Sequence, residues 1–144
     1  MAISYEHTIT IDRAAHEVFA FFSDPKNATT WQSGLVKVAA DGPLKQGSKW
    51  REIRRFLGRD IETALEVTEY EPDRRFAARG SGGSARFAFE WQVTPSANGT
   101  DFTFRGQADP GRLLRIGGRF MARAAKRQIQ ADLARAKQIL EARR

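Results

Sequence analysis

Residues 109–144 read DPGRLLRIGGRFMARAAKRQIQADLARAKQILEARR, and this stretch decides how the rest must fold. Phe120, Met121, Ala125, Ile129, Leu133, Ala136 and Leu140 recur in steps of one, three and four, the apolar stripe of an amphipathic helix. Asp109-Pro110 reads as its start, because a carboxylate can cap the first free N–H groups and Pro suits the first turn. The spacing predicts one helix over 109–144, whose run of about thirty residues beyond Pro110 is roughly 45–50 Å long. A rod of that length must lie across a broad apolar surface, which the upstream residues have to supply.

The upstream residues read as strands. Ile3, Tyr5, His7, Ile9 and Ile11 share one parity, and Ser4, Glu6, Thr8 and Thr10 the other. Asp12 reads as the cap of a short helix with Val18, Phe19, Phe21 and Phe22 on its apolar side. Ser23-Asp24-Pro25 ends it and opens a second short turn that Trp31 closes. Strands are then expected at 34–40, 48–57, 61–70, 75–79, 85–94 and 101–107. The turns between them are Asp41-Gly42-Pro43, Gly58-Arg59-Asp60, Glu71-Pro72-Asp73, the Gly-rich run 80–83 and Asn98-Gly99. Short connections make successive strands antiparallel neighbours. Parity then sets one aromatic face: Trp50, Glu52, Arg54 and Phe56; Ile61, Thr63, Leu65 and Val67; Phe87, Phe89, Trp91 and Val93; Phe102 and Phe104. The fold class is therefore α+β, a sheet of six to seven antiparallel strands covered by a long C-terminal helix, with two short helices after strand 1.

Composition narrows the rest. A length of 144 residues fits a single domain spanning 1–144. No cysteine is present, which excludes disulfides and cysteine-ligated metal sites. The N-terminus lacks the pattern of a signal peptide and no run is long enough to span a bilayer, so a cytoplasmic protein without integral membrane association is expected. The net charge of +7 resides in the C-terminal stretch, where residues 112–144 carry +8 and the remainder −1. Such a stripe suits a solvated outer face. The alternative is an interaction module that meets nucleic acid or an anionic membrane, but no aromatic residues interleave to stack bases, so nucleic acid is not expected.

Asp24-Pro25 with Trp31, Gly47-x-x-Trp50-Arg51-Glu52 and Glu69-Tyr70-Glu71-Pro72, in this order of elements, resemble the START/Bet v 1-like (SRPBCC) superfamily and its polyketide cyclase/dehydrase-type branch. The resemblance covers the whole chain. It implies a helix-grip fold, in which a curved antiparallel sheet wraps the C-terminal helix and leaves a cavity for a hydrophobic molecule such as a lipid or aromatic polyketide.

Glu52 and Arg54 are the charged pair on the inward parity of a strand. A charge facing an apolar interior has to be paired, because desolvation is expensive. They read either as a salt bridge near the sheet rim or as the polar end of a cavity. In the second case Arg54 would hold a ligand carboxylate, phenolate or carbonyl, and Glu52 would accept a proton. His7 points inward by parity, and His16 lies on an exposed helix side. Glu52, Arg54 and His7, together with Tyr5, are the catalytic candidates. Two scattered histidines are too few for a metal, and no cofactor is expected. The glycines at 80, 82 and 83 lack the Lys-Ser/Thr of a phosphate-binding loop and read as a flexible hairpin loop. Gly117-Gly118 reads as a break between a lid over 113–116 and the main helix, as a close approach to the sheet, or as ordinary helix packing.

The expected function is binding of a small hydrophobic or aromatic ligand between sheet and helix by a monomer or homodimer. Trp31, Trp50, Glu52, Arg54, Phe56, Leu65, Phe76, Phe87, Phe89, Trp91, Phe104, Phe120 and Met121 are the candidate contacts. The alternative is a cyclase/dehydratase-type lyase or a hydrolase that works without metal.

Overall fold

The computed structural model describes residues 3–56, 58–109, 111 and 118–143. Its elements are β1 (Ile3–Ile11), α1 (Ala15–Ser23), a 3-10 turn (Pro25–Asn27), α2 (Ala28–Trp31), β2 (Leu35–Ala40), β3 (Lys49–Phe56), β4 (Arg59–Glu71), β5 (Arg75–Gly82), β6 (Ala85–Ser96), β7 (Gly99–Asp109) and α3 (Gly118–Ala142). The seven strands form one antiparallel sheet in the order β1-β7-β6-β5-β4-β3-β2. Irregularities at Leu35/Lys37 and Val67/Glu69 break the register. Such bulges bend a strand and raise its twist, which suits a sheet that curls around a helix. The result is the helix-grip fold.

The inner face follows parity. Trp50, Leu65, Val67, Phe76, Trp91, Val93 and Phe102 are all buried on it. The outer face holds cross-strand ion pairs in its place: Arg51–Glu62, Arg55–Asp60, Arg79–Glu66 and Arg105–Glu6. Each pair is solvent-facing and contributes little singly.

The two halves of the inner face are filled differently. At the end where β1 finishes and β7 begins, α1 packs Val18, Phe19, Phe21 and Phe22 onto the sheet. Phe22 stacks on Phe102 with ring centroids 3.9 Å apart and meets Trp31 edge-on at 5.0 Å. Leu133, Ala136 and Leu140 of α3 close this core. The helix backbone comes near β1 and α2, and its contact with the sheet is concentrated there. Arg13 holds the helix end, donating to the carbonyls of Glu141 (2.9 Å) and Arg143, two acceptors left open where a helix stops.

Several boundaries differ from the sequence reading. Asp109 does not cap α3. It ends β7, opposite Arg86, and its carboxylate accepts the Gly111 N–H at 3.0 Å. The helix runs from Gly118 for 25 residues, about 37 Å at 1.5 Å per residue. Pro110, Gly117 and the lid over 113–116 lie outside the described residues. Asp12 does not cap α1 either. Ala14 holds the N-cap position with no side-chain bond, and the Asp12 N–H donates to the Glu141 carboxylate at 2.8 Å. Gly80, Ser81 and Gly82 belong to β5 and not to a loop. Glycine is needed there for close approach: a Cβ on Gly80 would stand 2.6 Å from the Phe87 ring and 2.9 Å from the Ala64 carbonyl. Phe120 leaves the stripe and is 68% exposed. At about 100° per residue it lies almost opposite Ile129, Leu133 and Ala136, the face that is turned inward.

Leu140 is fully buried where α3, α1 and the sheet meet. Leu140→Ala is expected to lower the unfolding free energy by about 2–5 kcal/mol, read as a lower urea midpoint at unchanged slope.

Candidate functional site

Where β3–β4 and β5–β6 turn, the sheet and helix part. Between the inner face and the 125–133 segment of α3 lies a cavity of about 410 Å³, within the range of small-molecule sites. Trp50 of β3, Phe76 of β5, Phe89 and Trp91 of β6 and Phe104 of β7 form its floor. Phe76 and Trp91 lie parallel with centroids 4.4 Å apart, and Phe89 continues the stack at 5.7 Å from Trp91. Phe22 and Trp31 wall it toward the packed core, while Ala125, Ile129 and Leu133 roof it from α3. Its wall also includes the exposed residues Arg55, Arg86 and Asp109, so it reaches the surface at the hairpin end of the sheet.

Nine of the thirteen residues expected to touch a ligand stand on this wall: Trp31, Trp50, Glu52, Arg54, Phe76, Phe87, Phe89, Trp91 and Phe104. Leu65 is buried deeper in the core, and the next inward positions of β4 toward the hairpin, Thr63 and Ile61, line the cavity instead. Phe120 faces solvent. The side chains of Phe56 and Met121 lie outside the described residues. His7 is off the wall, half-buried, its ring 6.2 Å from that of Tyr5. His16 is exposed beside Asp73 at 3.3 Å.

Glu52 is only 5% exposed. Its Oε1 accepts the Trp50 indole N–H at 3.0 Å, and its Oε2 accepts Arg54 Nε at 3.0 Å and Nη2 at 2.9 Å. Arg54 Nη2 also donates to the side-chain carbonyl of Gln32. The pair is thus a mutual salt bridge that stands on the cavity wall.

A second polar cluster went unread in the sequence. Asp132 sits buried on the inward side of α3, and its Oδ1 accepts the Ser33 N–H (3.1 Å), the Ser33 hydroxyl (2.9 Å) and Arg135 Nη1 (3.3 Å). Arg135 Nη1 also donates to the Trp31 carbonyl at 3.1 Å. Gly34 follows, where a Cβ would meet the end of the Gln128 side chain and stand 3.2 Å from the Arg55 carbonyl, so the loop passes close to both β3 and α3. A signal existed: position 132 is three after Ile129 and four before Ala136, a carboxylate on the apolar stripe. The residues 31–34 therefore join both polar clusters, Gln32 to Arg54 and Ser33 to Asp132.

Arg123, Lys126 and Arg127 are exposed on α3 and have no acidic partner among the described residues. No helix formed by the described residues is long and apolar enough to cross a membrane.

Residues 2–141 match a family model described as polyketide cyclase / dehydrase and lipid transport. A protein from Thermus thermophilus superposes with a TM-score of 0.80 at 11% identity, covering 97% of each chain. A Chromobacterium violaceum protein gives 0.77 at 14% identity, covering 98% of this chain and 99% of that one. A protein from the dynemicin biosynthetic locus gives 0.72 at 21% identity, covering 96% of this chain and 47% of that one. These likenesses concern the fold. No curated protein matches the chain.

Burial raises the pKa of the Tyr5 phenol above its ordinary 10.0, and the Gln130 side chain offsets part of that shift. A raised acid favours its protonated form in the fold, so the stability Tyr5 adds is present below its ordinary pKa and fades as pH rises through the raised one. Spectrophotometric titration of the wild type minus Tyr5→Phe should place its midpoint above 10.0, and Tyr5→Phe should lessen the loss of urea resistance on the alkaline side.

Proposed function

Because the chain belongs to the polyketide cyclase/dehydrase and lipid-transport family, we propose that it binds a small hydrophobic ligand with an aromatic body in the cavity between sheet and helix. The observation that carries this reading is the cavity: about 410 Å³ floored by five stacked or tilted aromatic rings. Rigid rings hold a void open where flexible aliphatic side chains would collapse into it. Flat π-faces then favour a planar guest, and the apolar wall contributes roughly 25 cal/mol for each Å² removed from water.

Binding is favoured over acid–base chemistry on the same wall. A general base has to reach the proton it removes. Both oxygens of Glu52 already accept donors from its own chain, and His7 stands off the wall. Carriage or sensing of the ligand needs only occupancy, with no step beyond it.

Small molecules extracted from the purified protein should include a planar hydrophobic compound, identified by mass spectrometry. Ala125 lies on the roof of the cavity, and Ala125→Trp would fill it. That variant should weaken binding of the neutral fluorophore N-phenylnaphthylamine by about tenfold or more while its urea midpoint stays near wild type. Undiminished binding would place the guest elsewhere.

A further inference from the structure

Resting on that reading, we infer that the cavity selects guests whose polar group is uncharged and accepts hydrogen bonds, such as an aromatic ketone, quinone or amide, and discriminates against carboxylates. The argument starts from the charges. Of the wall cations Arg54, Arg55 and Arg86, Arg54 is the one that is not exposed. It is already held by Glu52 through Nε and Nη2, and Glu52 is 5% exposed. A buried carboxylate gives up much of its hydration and keeps the charge of its partner neutralised. The Glu52–Arg54 pair therefore sums to zero, and a second anion beside it would have to share one guanidinium with Glu52.

Asp132 adds to this. Its carboxylate is buried on the opposite wall, and its cationic partner Arg135 lies on the exposed side of α3. Two buried carboxylates thus face the cavity, whereas the remaining wall cations, Arg55 and Arg86, are exposed at its rim, with Arg55 bound to Asp60 at 2.8 Å. An anionic group drawn in by the rim would lose hydration further inside, where Arg54 is already engaged by Glu52 and no other cation of the described residues stands on the inner wall.

The polar atoms left open around the pair are donors. Arg54 Nη1 and the amide nitrogen of Gln32 have no partner among the described residues. A carbonyl on the guest can accept from these donors and so replace the hydrogen bonds it leaves behind in water. Donors held by a neutral pair favour a neutral acceptor.

The test is displacement of bound N-phenylnaphthylamine by naphthamide and by naphthoate, which differ in the charge of one group. The net charge of +7 favours the anion over the whole surface, so a preference for the amide reports the cavity. Naphthamide should displace the fluorophore at about tenfold lower concentration than naphthoate. Glu52→Gln keeps an acceptor for Trp50 and frees the Arg54 charge, so it should close or reverse that gap. Arg54→Met, which keeps the volume and removes the cation, should widen it and so serves if Glu52→Gln does not fold. Naphthoate competing as well as naphthamide in the wild type overturns the inference and leaves the proposed function standing. A gap unmoved by both variants also overturns it. Failure of the fluorophore to bind at all overturns the proposed function and this inference with it.

Discussion

A carboxylate on the apolar side of α3 fixes where the helix can lie. Asp132 is buried, and a buried charge without partners would expel the helix from the sheet. The Ser33 amide and hydroxyl, with Arg135 from the next turn, satisfy it only if α3 lies against the loop after α2. Arg13 fixes the other end through the last carbonyls of the helix. Between these two points Leu133, Ala136 and Leu140 seal against α1 and the sheet. Before Asp132 the tie is weaker, a 3.4 Å hydrogen bond from Gln128 Nε2 to the Ser33 hydroxyl, and the cavity opens under residues 125–129. Core and cavity are therefore one arrangement: the same rod is pinned along one half and held off the sheet along the other.

The cavity survives because its floor is aromatic. Phe76, Phe89, Trp91 and Phe104 make contact edge to edge and face to face along the sheet, at centroid distances of 4.4–6.4 Å. Each ring is thus supported from the side and does not need a neighbour above it. Gly80 contributes by absence, since its missing Cβ is where the Phe87 ring passes. The sheet in turn curves because bulges interrupt β2–β3 and β4–β5, the strands on one flank. Curvature, ring packing and pinned helix each leave the void that the others also require.

The sequence discloses what depends on periodicity and conceals what depends on contact. Alternation in Ile3–Ile11, in Trp50–Glu52–Arg54 and in Phe87–Phe89–Trp91 locates the strands and their inner faces, because parity is a local property. The start of α3 is hidden: Asp109-Pro110 has the chemistry of a helix cap, but the ladder to β6 continues through Asp109 and takes precedence. The run 80–83 resembles a loop because glycine has two uses, turns and close approach, and only the position of Phe87 distinguishes them. Phe120 falls in the stripe by step counting, though its angle about the rod sets it outside. The pair Glu52–Arg54 is legible, since two charges on an apolar face stand out. Its supporting partners are not: Gln32 and Ser33 lie about twenty residues from Arg54 and a hundred from Asp132, and no spacing rule connects them.

Those distant partners also tie the site to the stability of the fold. Gln32 touches Arg54 on the cavity wall, and the adjacent Ser33 holds Asp132 on the helix. A guest that engages the open donors of Arg54 or Gln32 acts on residues one peptide unit from the helix anchor. Any free energy gained there is available only while α3 is docked, because the cavity exists only then. Occupancy and helix docking are thus linked equilibria, and a ligand stabilises the grip by as much as it prefers the gripped state. Away from the cavity rim the outer face takes no part in this, since Arg51–Glu62, Arg79–Glu66 and Arg105–Glu6 are paired across strands and turned to water. Its role is to leave the inner face as the surface on which apolar association can occur.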